Sequence, residues 1–320
     1  MSKTALICGI SGQDGSYLAK LLVDKGYRVF GSSRDAERTE FANLARLGVA
    51  DSVTLRSMSL ADFRSVLATV SAIEPDEIYN LAGQSSVGLS FEQPMETMES
   101  ISMGVLNLLE VVRFTGGRAR LYNAGSSECF GDTGKVPASE ETPFRPRSPY
   151  AVAKSAAHWA VANYRESYGI FACNGILFNH ESPLRPPRFV TSKIIRSACA
   201  IARGEMDKLS LGNIDIARDW GSAREYVEAM WKMLQVDAAG DYVIATGETS
   251  TLAEFLAAAF EEVGLEWQDH VEYDSSLARP SDIAYSAADP GKAQRELGWK
   301  ATMMMRDVVG EMVAAEAARA

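Results

Sequence analysis

The chain has 320 residues, 47% hydrophobic and 23% charged, with a formal net charge of −10. This length supports a large core and more than one domain, and the acidic balance argues against general nucleic-acid binding while leaving room for an anionic small ligand held by a local cluster of cations. No apolar run reaches membrane-spanning length, the four cysteines (Cys8, Cys129, Cys173, Cys199) are scattered, and the three histidines show no metal-ligand spacing; these features predict no membrane segment, disulfide framework or metal site.

The N-terminus leads directly into a strand-like run with no signal peptide, so a cytoplasmic location is expected. Thr4 to Cys8 reads as a buried strand. Gly9-Ile10-Ser11-Gly12-Gln13-Asp14-Gly15 follows, then Tyr17, Leu18, Leu21 and Leu22 at helical spacing. Strand, glycine turn and helix open a dinucleotide-binding unit: the glycines let a pyrophosphate approach the backbone, and the helix start offers N–H groups. The spacing is G-x-x-G-x-x-G, which is weak alone because any strand-to-helix turn tolerates glycine. The alternation continues with strands at Arg28–Gly31, Ser52–Met58, Glu77–Ala82 and Arg120–Ser126, and with a clear helical pattern around Val105, Leu108, Leu109 and Val112. Asn174–Asn179 and Asp241–Thr246 read as further strands.

Repeated βαβ units imply a Rossmann-type, doubly wound parallel sheet of α/β class. From about His180 the character changes, and Pro183, Pro186 and Pro187 with Arg185 and Arg188 mark a loop. A smaller, discontinuous α+β domain is therefore expected, built from about 180–218 plus 247–320, beside a sheet domain of 1–179 plus about 219–246. The cleft between them would lie at the carboxyl ends of the strands.

Three stretches carry candidate chemistry. In Ser148-Pro149-Tyr150-Ala151-Val152-Ala153-Lys154, proline marks a helix start and places Tyr150 and Lys154 one turn apart. A lysine beside a phenol is expected to lower its pKa, allowing proton exchange near neutral pH; the alternative is a chance pair on a surface helix. Ser126 and Glu128 follow the fifth strand, as a hydroxyl donor and a base or as a plain serine turn with a solvated glutamate. Asn80-Leu81-Ala82-Gly83 ends the fourth strand, either passing alongside a cofactor at Leu81 and Ala82 or forming an ordinary turn. No acidic residue ends the second strand to bind an NAD ribose, and Arg34 stands ready for a 2′-phosphate, so NADP is expected over NAD.

With these motifs the chain resembles the extended short-chain dehydrogenase/reductase superfamily and, within it, the GDP-mannose 4,6-dehydratases. The stretches that carry the resemblance are Gly9–Leu18, Ser148–Lys154, Asn163–Glu166, Gly175–Pro183, Leu211–Asn213, Arg218–Gly221, Tyr226–Trp231 and Asp241–Gly247. The glycine turn and Y-x-x-x-K mark only the superfamily; Asn179–Pro183 and Arg218–Gly221 are narrower signals. The resemblance implies hydride transfer from sugar C4 to NADP and back to C6, with Tyr150 and Lys154 handling the O4 proton and Ser126 near O4, where threonine is usual. Glu128 would take the C5 proton while water leaves from C6. The dinucleotide would lie against Gly9, Ser11, Gly12, Gln13, Asp14, Gly15, Arg34, Leu81, Ala82, Tyr150 and Lys154. The resemblance also implies Asn179, Lys193, Arg218, Arg279 and Asp282 as contacts of GDP-mannose or a related nucleotide sugar, and a homodimer or homotetramer. His180 reads as a structural hydrogen-bonding residue. The chain departs from the family pattern at Arg34-Asp35, Ser59-Leu60, Pro186 and Ser192. Two alternatives remain open: an NADPH-dependent 4-keto-6-deoxy sugar-nucleotide reductase, and a catalytically silent nucleotide-sugar or NADP(H)-binding protein.

Overall fold

The computed structural model describes residues 2–277 and 281–319. Twelve strands are found among them: β1 Thr4–Cys8, β2 Arg28–Ser33, β3 Val53–Ser57, β4 Glu77–Asn80, β5 Arg120–Ala124, β6 Ala172–Leu177, β7 Asn179–Glu181, β8 Leu209–Leu211, β9 Ala217–Ser222, β10 Asp241–Ile244, β11 Thr249–Thr251 and β12 Val271–Tyr273. Seven form one sheet in the order β10-β6-β5-β4-β1-β2-β3, with every pairing parallel. The order reverses around β1, so the crevice past the carboxyl ends of β1 and β4 is the natural ligand position.

β1 shows why the sheet is closed on both faces. All five of its residues are buried. Ala5 and Ile7 join a core with the helices Gln13–Asp24 and Ala223–Met233. Leu6 and Cys8 join the opposite core with Phe63–Ile73, Gly104–Phe114 and Pro149–Tyr168. A continuous apolar run reflects that two-sided burial. At the β10 edge, the Glu140 carboxylate accepts the Val243 N–H at 2.7 Å, occupying a donor that would otherwise invite another strand.

The expected strand Asn174–Asn179 is two strands in two sheets. Phe178 separates them: its N–H donates to Ile244 O at 3.0 Å, and its buried ring sits with Phe130, Ile176 and Val243. Beyond it Asn179 pairs with Trp220 in a three-stranded sheet of β11, β9 and β7. Strand β10 returns to the main sheet, whereas β9 stays in the smaller one. A third core gathers the helices Val190–Ala202, Leu252–Glu261 and Met305–Ala317. The helix Gly291–Leu297 packs instead with the sheet-domain core through Ala293 and Leu297. Arg279 lies outside the described residues. Among those described, no helix is long and apolar enough to cross a membrane, and no group of three or more His, Cys, Asp or Glu side chains is placed to hold a metal. All four cysteines are buried.

Candidate active site

One cleft runs along the carboxyl ends of the main sheet, with Asp14 of the glycine turn in its wall, and close backbone approaches shape that turn. Gly9 adopts φ +82°, and a Cβ there would meet the Ala82 backbone at 2.9 Å. A Cβ on Gly15 would lie 2.4 Å from Gly9 O. The helix Gln13–Asp24 starts at Gly12 with no side-chain cap, which leaves first-turn N–H groups for an anion. This cradle fits a dinucleotide pyrophosphate. The side chains of Gln13 and Asp14 are committed elsewhere, which leaves their main chain to the cradle. Gln13 Nε2 donates to His180 O at 3.1 Å and its Oε1 accepts from Ser182 Oγ at 2.7 Å. Asp14 Oδ2 lies 2.9 Å from His180 Nε2. Burial pushes the Asp14 carboxyl up, but His180 beside it and the Gln13 amide outweigh burial and bring it down to about 2. Burial pulls His180 down, yet Asp14 lifts it above its ordinary value. His180 thus ties β7 to the turn, the structural role expected of it.

Tyr150 and Lys154 enter the cleft from the helix Pro149–Tyr168, with Ser126, Ser127 and Glu128 on a neighbouring wall. The Ser148 hydroxyl accepts the Ala151 N–H at 3.1 Å and, with Pro149, fixes the helix start. Ser126 follows Gly125, where a Cβ would stand 2.9 Å from Gly175 O; its Oγ accepts the Glu128 N–H at 3.3 Å, turning the chain so that Glu128 lines the cleft. Lys154 departs from the sequence reading. Its ammonium donates to Ala124 O at 2.7 Å and sits 5.8 Å from the centre of the Tyr150 ring. Burial raises the Tyr150 phenol above its ordinary range, against the lowering effect of its Ser126 hydrogen bond, the opposite direction to the lowering expected from the sequence. Burial also draws Lys154 down to about 8.

The nucleotide-side residues divide. Asn179 and Arg218 line the cleft. Arg218 is 4% exposed; its guanidinium donates to Ala217 O at 2.9 Å and Ile283 O at 2.7 Å, and lies 3.5 Å from Asp282. Asp282 therefore stands beside an arginine already in the cleft wall. Lys193 is not in that wall: its ammonium donates to Ser210 O at 2.7 Å. Leu81 lines the cleft, while Ala82 backs Gly9. Arg34 is exposed at the end of β2, 3.5 Å from Glu96. Sequence reasoning missed Arg185, Arg188 and Thr191, all of which line the cleft. The signal for two of them was present: a proline-bracketed loop carrying two arginines directly after β7.

A switch-point crevice, a glycine cradle and a Tyr-x-x-x-Lys helix beside a serine define an enzyme of the extended short-chain dehydrogenase/reductase class. Comparison with known proteins narrows this. Residues 6–312 match the family described as GDP-mannose 4,6 dehydratase. GDP-mannose 4,6 dehydratase 1 of Arabidopsis thaliana is 48% identical, covering 97% of this chain and 89% of that protein. GDP-mannose 4,6-dehydratase of Sinorhizobium fredii is 45% identical, covering 97% and 95%. Among solved structures, the UDP-glucose 4-epimerase of Thermus thermophilus in complex with NAD superposes with a TM-score of 0.87 at 26% identity, covering 99% and 100%. The chain belongs to the GDP-mannose 4,6-dehydratase family and is an enzyme of the dehydratase type.

Proposed function

We propose that the chain converts GDP-mannose to GDP-4-keto-6-deoxymannose, with NADP as its resident cofactor. The observation that carries this reading is a second base in the cleft: Glu128 shares it with Ser126, Tyr150 and Lys154. A carbonyl reductase needs only the tyrosine and its neighbours, whereas loss of water from C6 needs a group that removes the C5 proton. The cofactor, when bound, supplies a hydride acceptor for C4 that becomes the donor for C6. The chain supplies the rest. Tyr150 exchanges the O4 proton, Ser126 hydrogen-bonds O4, and Lys154 holds positive charge at the strand end. Glu128 takes the C5 proton once C4 is a ketone. Asn179, Arg218, Arg279 and Asp282 serve the sugar and nucleotide, with Lys193 as a further cation from the same helix as Thr191.

Residues 1–179 with about 219–246 would hold the dinucleotide, and about 180–218 with 247–320 the nucleotide sugar; amide-exchange protection by each ligand alone would reveal a different division. Exposed Phe114, Val152, Trp159 and Tyr168 on the helices Gly104–Phe114 and Pro149–Tyr168 support assembly as a homodimer or homotetramer, which a monomeric mass in solution would remove. A cytoplasmic location accords with four buried free thiols and would be overturned by export of the protein from the cell.

The deciding experiment uses GDP-mannose deuterated at C4. Deuterium should appear at C6 of the product with no net change in NADPH absorbance, and in heavy water solvent deuterium should enter at C5. Glu128→Gln should bind both ligands and release no water. Stoichiometric NADPH oxidation with a 4-keto-6-deoxy sugar nucleotide, and no reaction with GDP-mannose, would replace this reading with the reductase.

A further inference from the structure

The cleft is lined by four long cations, and three are accounted for. Lys154 is buried against Ala124 O. Arg185 is paired with the buried Glu181 at 2.7 Å. Arg218 lies 3.5 Å from Asp282. Arg188 also lines the cleft, yet no carboxylate or hydrogen-bond acceptor among the described residues engages its guanidinium. Arg188 is exposed, and its guanidinium lies over the Phe189 ring at 5.1 Å; Arg185 approaches the same ring at 3.9 Å. Stacking of this kind restricts the side chain while leaving its N–H donors free. Pro186 and Pro187 before it limit the backbone.

A second group points the same way. Thr191 lines the cleft, is 2% exposed, and its Oγ1 has no hydrogen-bond partner. A buried hydroxyl without a partner costs free energy unless a ligand completes it. Thr191 lies in the first turn of the 13-residue helix Val190–Ala202, which starts at Phe189 with no side-chain cap. Arg188, a buried hydroxyl and uncapped amides are thus presented by four consecutive residues.

We propose that Arg188 is a specificity-determining anion-binding residue, gripping the diphosphate of the nucleotide sugar together with the Thr191 hydroxyl. It adds to the cation that the family resemblance assigned to this role, Lys193, whose ammonium is turned to Ser210 O. The inference rests on the nucleotide-sugar reading of the cleft and names the side chains that recognise the phosphates.

The test compares GDP, GMP and guanosine binding to wild type, Arg188→Gln, Arg188→Lys and Thr191→Val, alongside steady-state turnover. Arg188→Gln should weaken GDP binding and raise KM about tenfold, the scale of a charge-assisted contact, with kcat within about twofold. Guanosine binding should not change. Arg188→Lys should recover part of the loss, keeping charge without the planar fork, and Thr191→Val should show a smaller loss of GDP affinity. Unchanged GDP affinity in Arg188→Gln overturns the proposal, as does an equal loss for guanosine, which signals collapse of the loop. If wild type binds UDP or dTDP in place of GDP, the guanine reading falls, and the same variants test Arg188 with that diphosphate. Binding of no nucleoside diphosphate overturns both.

Discussion

The glycine turn at residues 9–15 and the segment 182–189 meet the same cleft but are built in opposite ways. The turn is made of backbone: glycines stand where a Cβ would collide, and amides face outward from an uncapped helix. The segment is made of side chains: Arg185 is fixed by Glu181, Ser192 Oγ donates to Arg185 O at 3.0 Å, and Arg188 rests on Phe189. A backbone site is defined by what is missing at fixed positions. A side-chain site is defined by which partner each long residue chooses, and that choice depends on distant elements. The two are joined by the pairs Asp14–His180 and Gln13–Ser182.

That junction offers the largest effect. Asp14→Asn removes one partner of a buried pair and should cost about 3 kcal/mol in unfolding free energy. The pH dependence has a defined sign. Asp14 is depressed in the folded chain, so its contribution is complete above its ordinary value of 3.8 and is lost as pH falls toward about 2. His180 is raised, so its contribution is complete below its ordinary value of 6.5 and is lost as pH rises through the folded value. The gap between wild type and variant should therefore be widest between the two ordinary values. Urea unfolding at pH 3, 5.5 and 9 measures it, and a gap independent of pH would show that the two segments are not joined through this pair.

Next in size is a test of the backbone construction. Gly15→Ala places a methyl 2.4 Å from Gly9 O and 2.6 Å from Ile10 Cα. Neither atom belongs to a side chain that can swing away, so the turn must open, at about 1–3 kcal/mol. Gly12→Ala meets only Gly9 O at 3.4 Å and should be far milder. Isothermal titration of NADP(H) into both variants should show a large loss of affinity for the first and a small one for the second. Equal affinities would mean that the dinucleotide does not rely on this backbone shape.

The legible parts of the sequence were those with local causes. A continuous run, Thr4 to Cys8, marked β1 because both faces of the parallel sheet are covered there. Tyr150 and Lys154 were readable because Pro149 starts a helix and the spacing closes one turn. Other features had distant causes. The break at Phe178 depends on an acceptor at Ile244, contributed by a strand far along the chain. Lys154 donates to the carbonyl of Ala124, at the end of a strand 30 residues upstream. Lys193 was placed in the site by its stretch, but β8 supplied a carbonyl for its ammonium. Glu181 and Arg185 stand four apart, yet no helix holds them, so helical spacing offered no reason to pair them.

The smallest effect concerns Arg34, the side chain expected to read the 2′-phosphate of the dinucleotide. Its guanidinium is 85% exposed and lies 3.5 Å from a half-exposed Glu96. Such a pair is weak in water, so a 2′-phosphate can draw the arginine away at little cost, and the gain is correspondingly small. Arg34→Ala should weaken NADP binding about three- to fivefold and leave NAD binding unchanged. Glu96→Gln should shift the preference slightly toward NADP by removing the competitor. Because every group involved is solvated, the difference between wild type and Arg34→Ala should shrink as salt is raised from about 0.05 to about 0.5 M. The losses seen at the glycines should not shrink in this way, since a steric clash is not screened. A parallel loss of NAD affinity in Arg34→Ala would mean that the arginine shapes the loop after β2 and does not read the phosphate. Equal affinity of the wild type for NAD and NADP would remove the preference altogether and leave the backbone turn as the whole of the dinucleotide grip on that side.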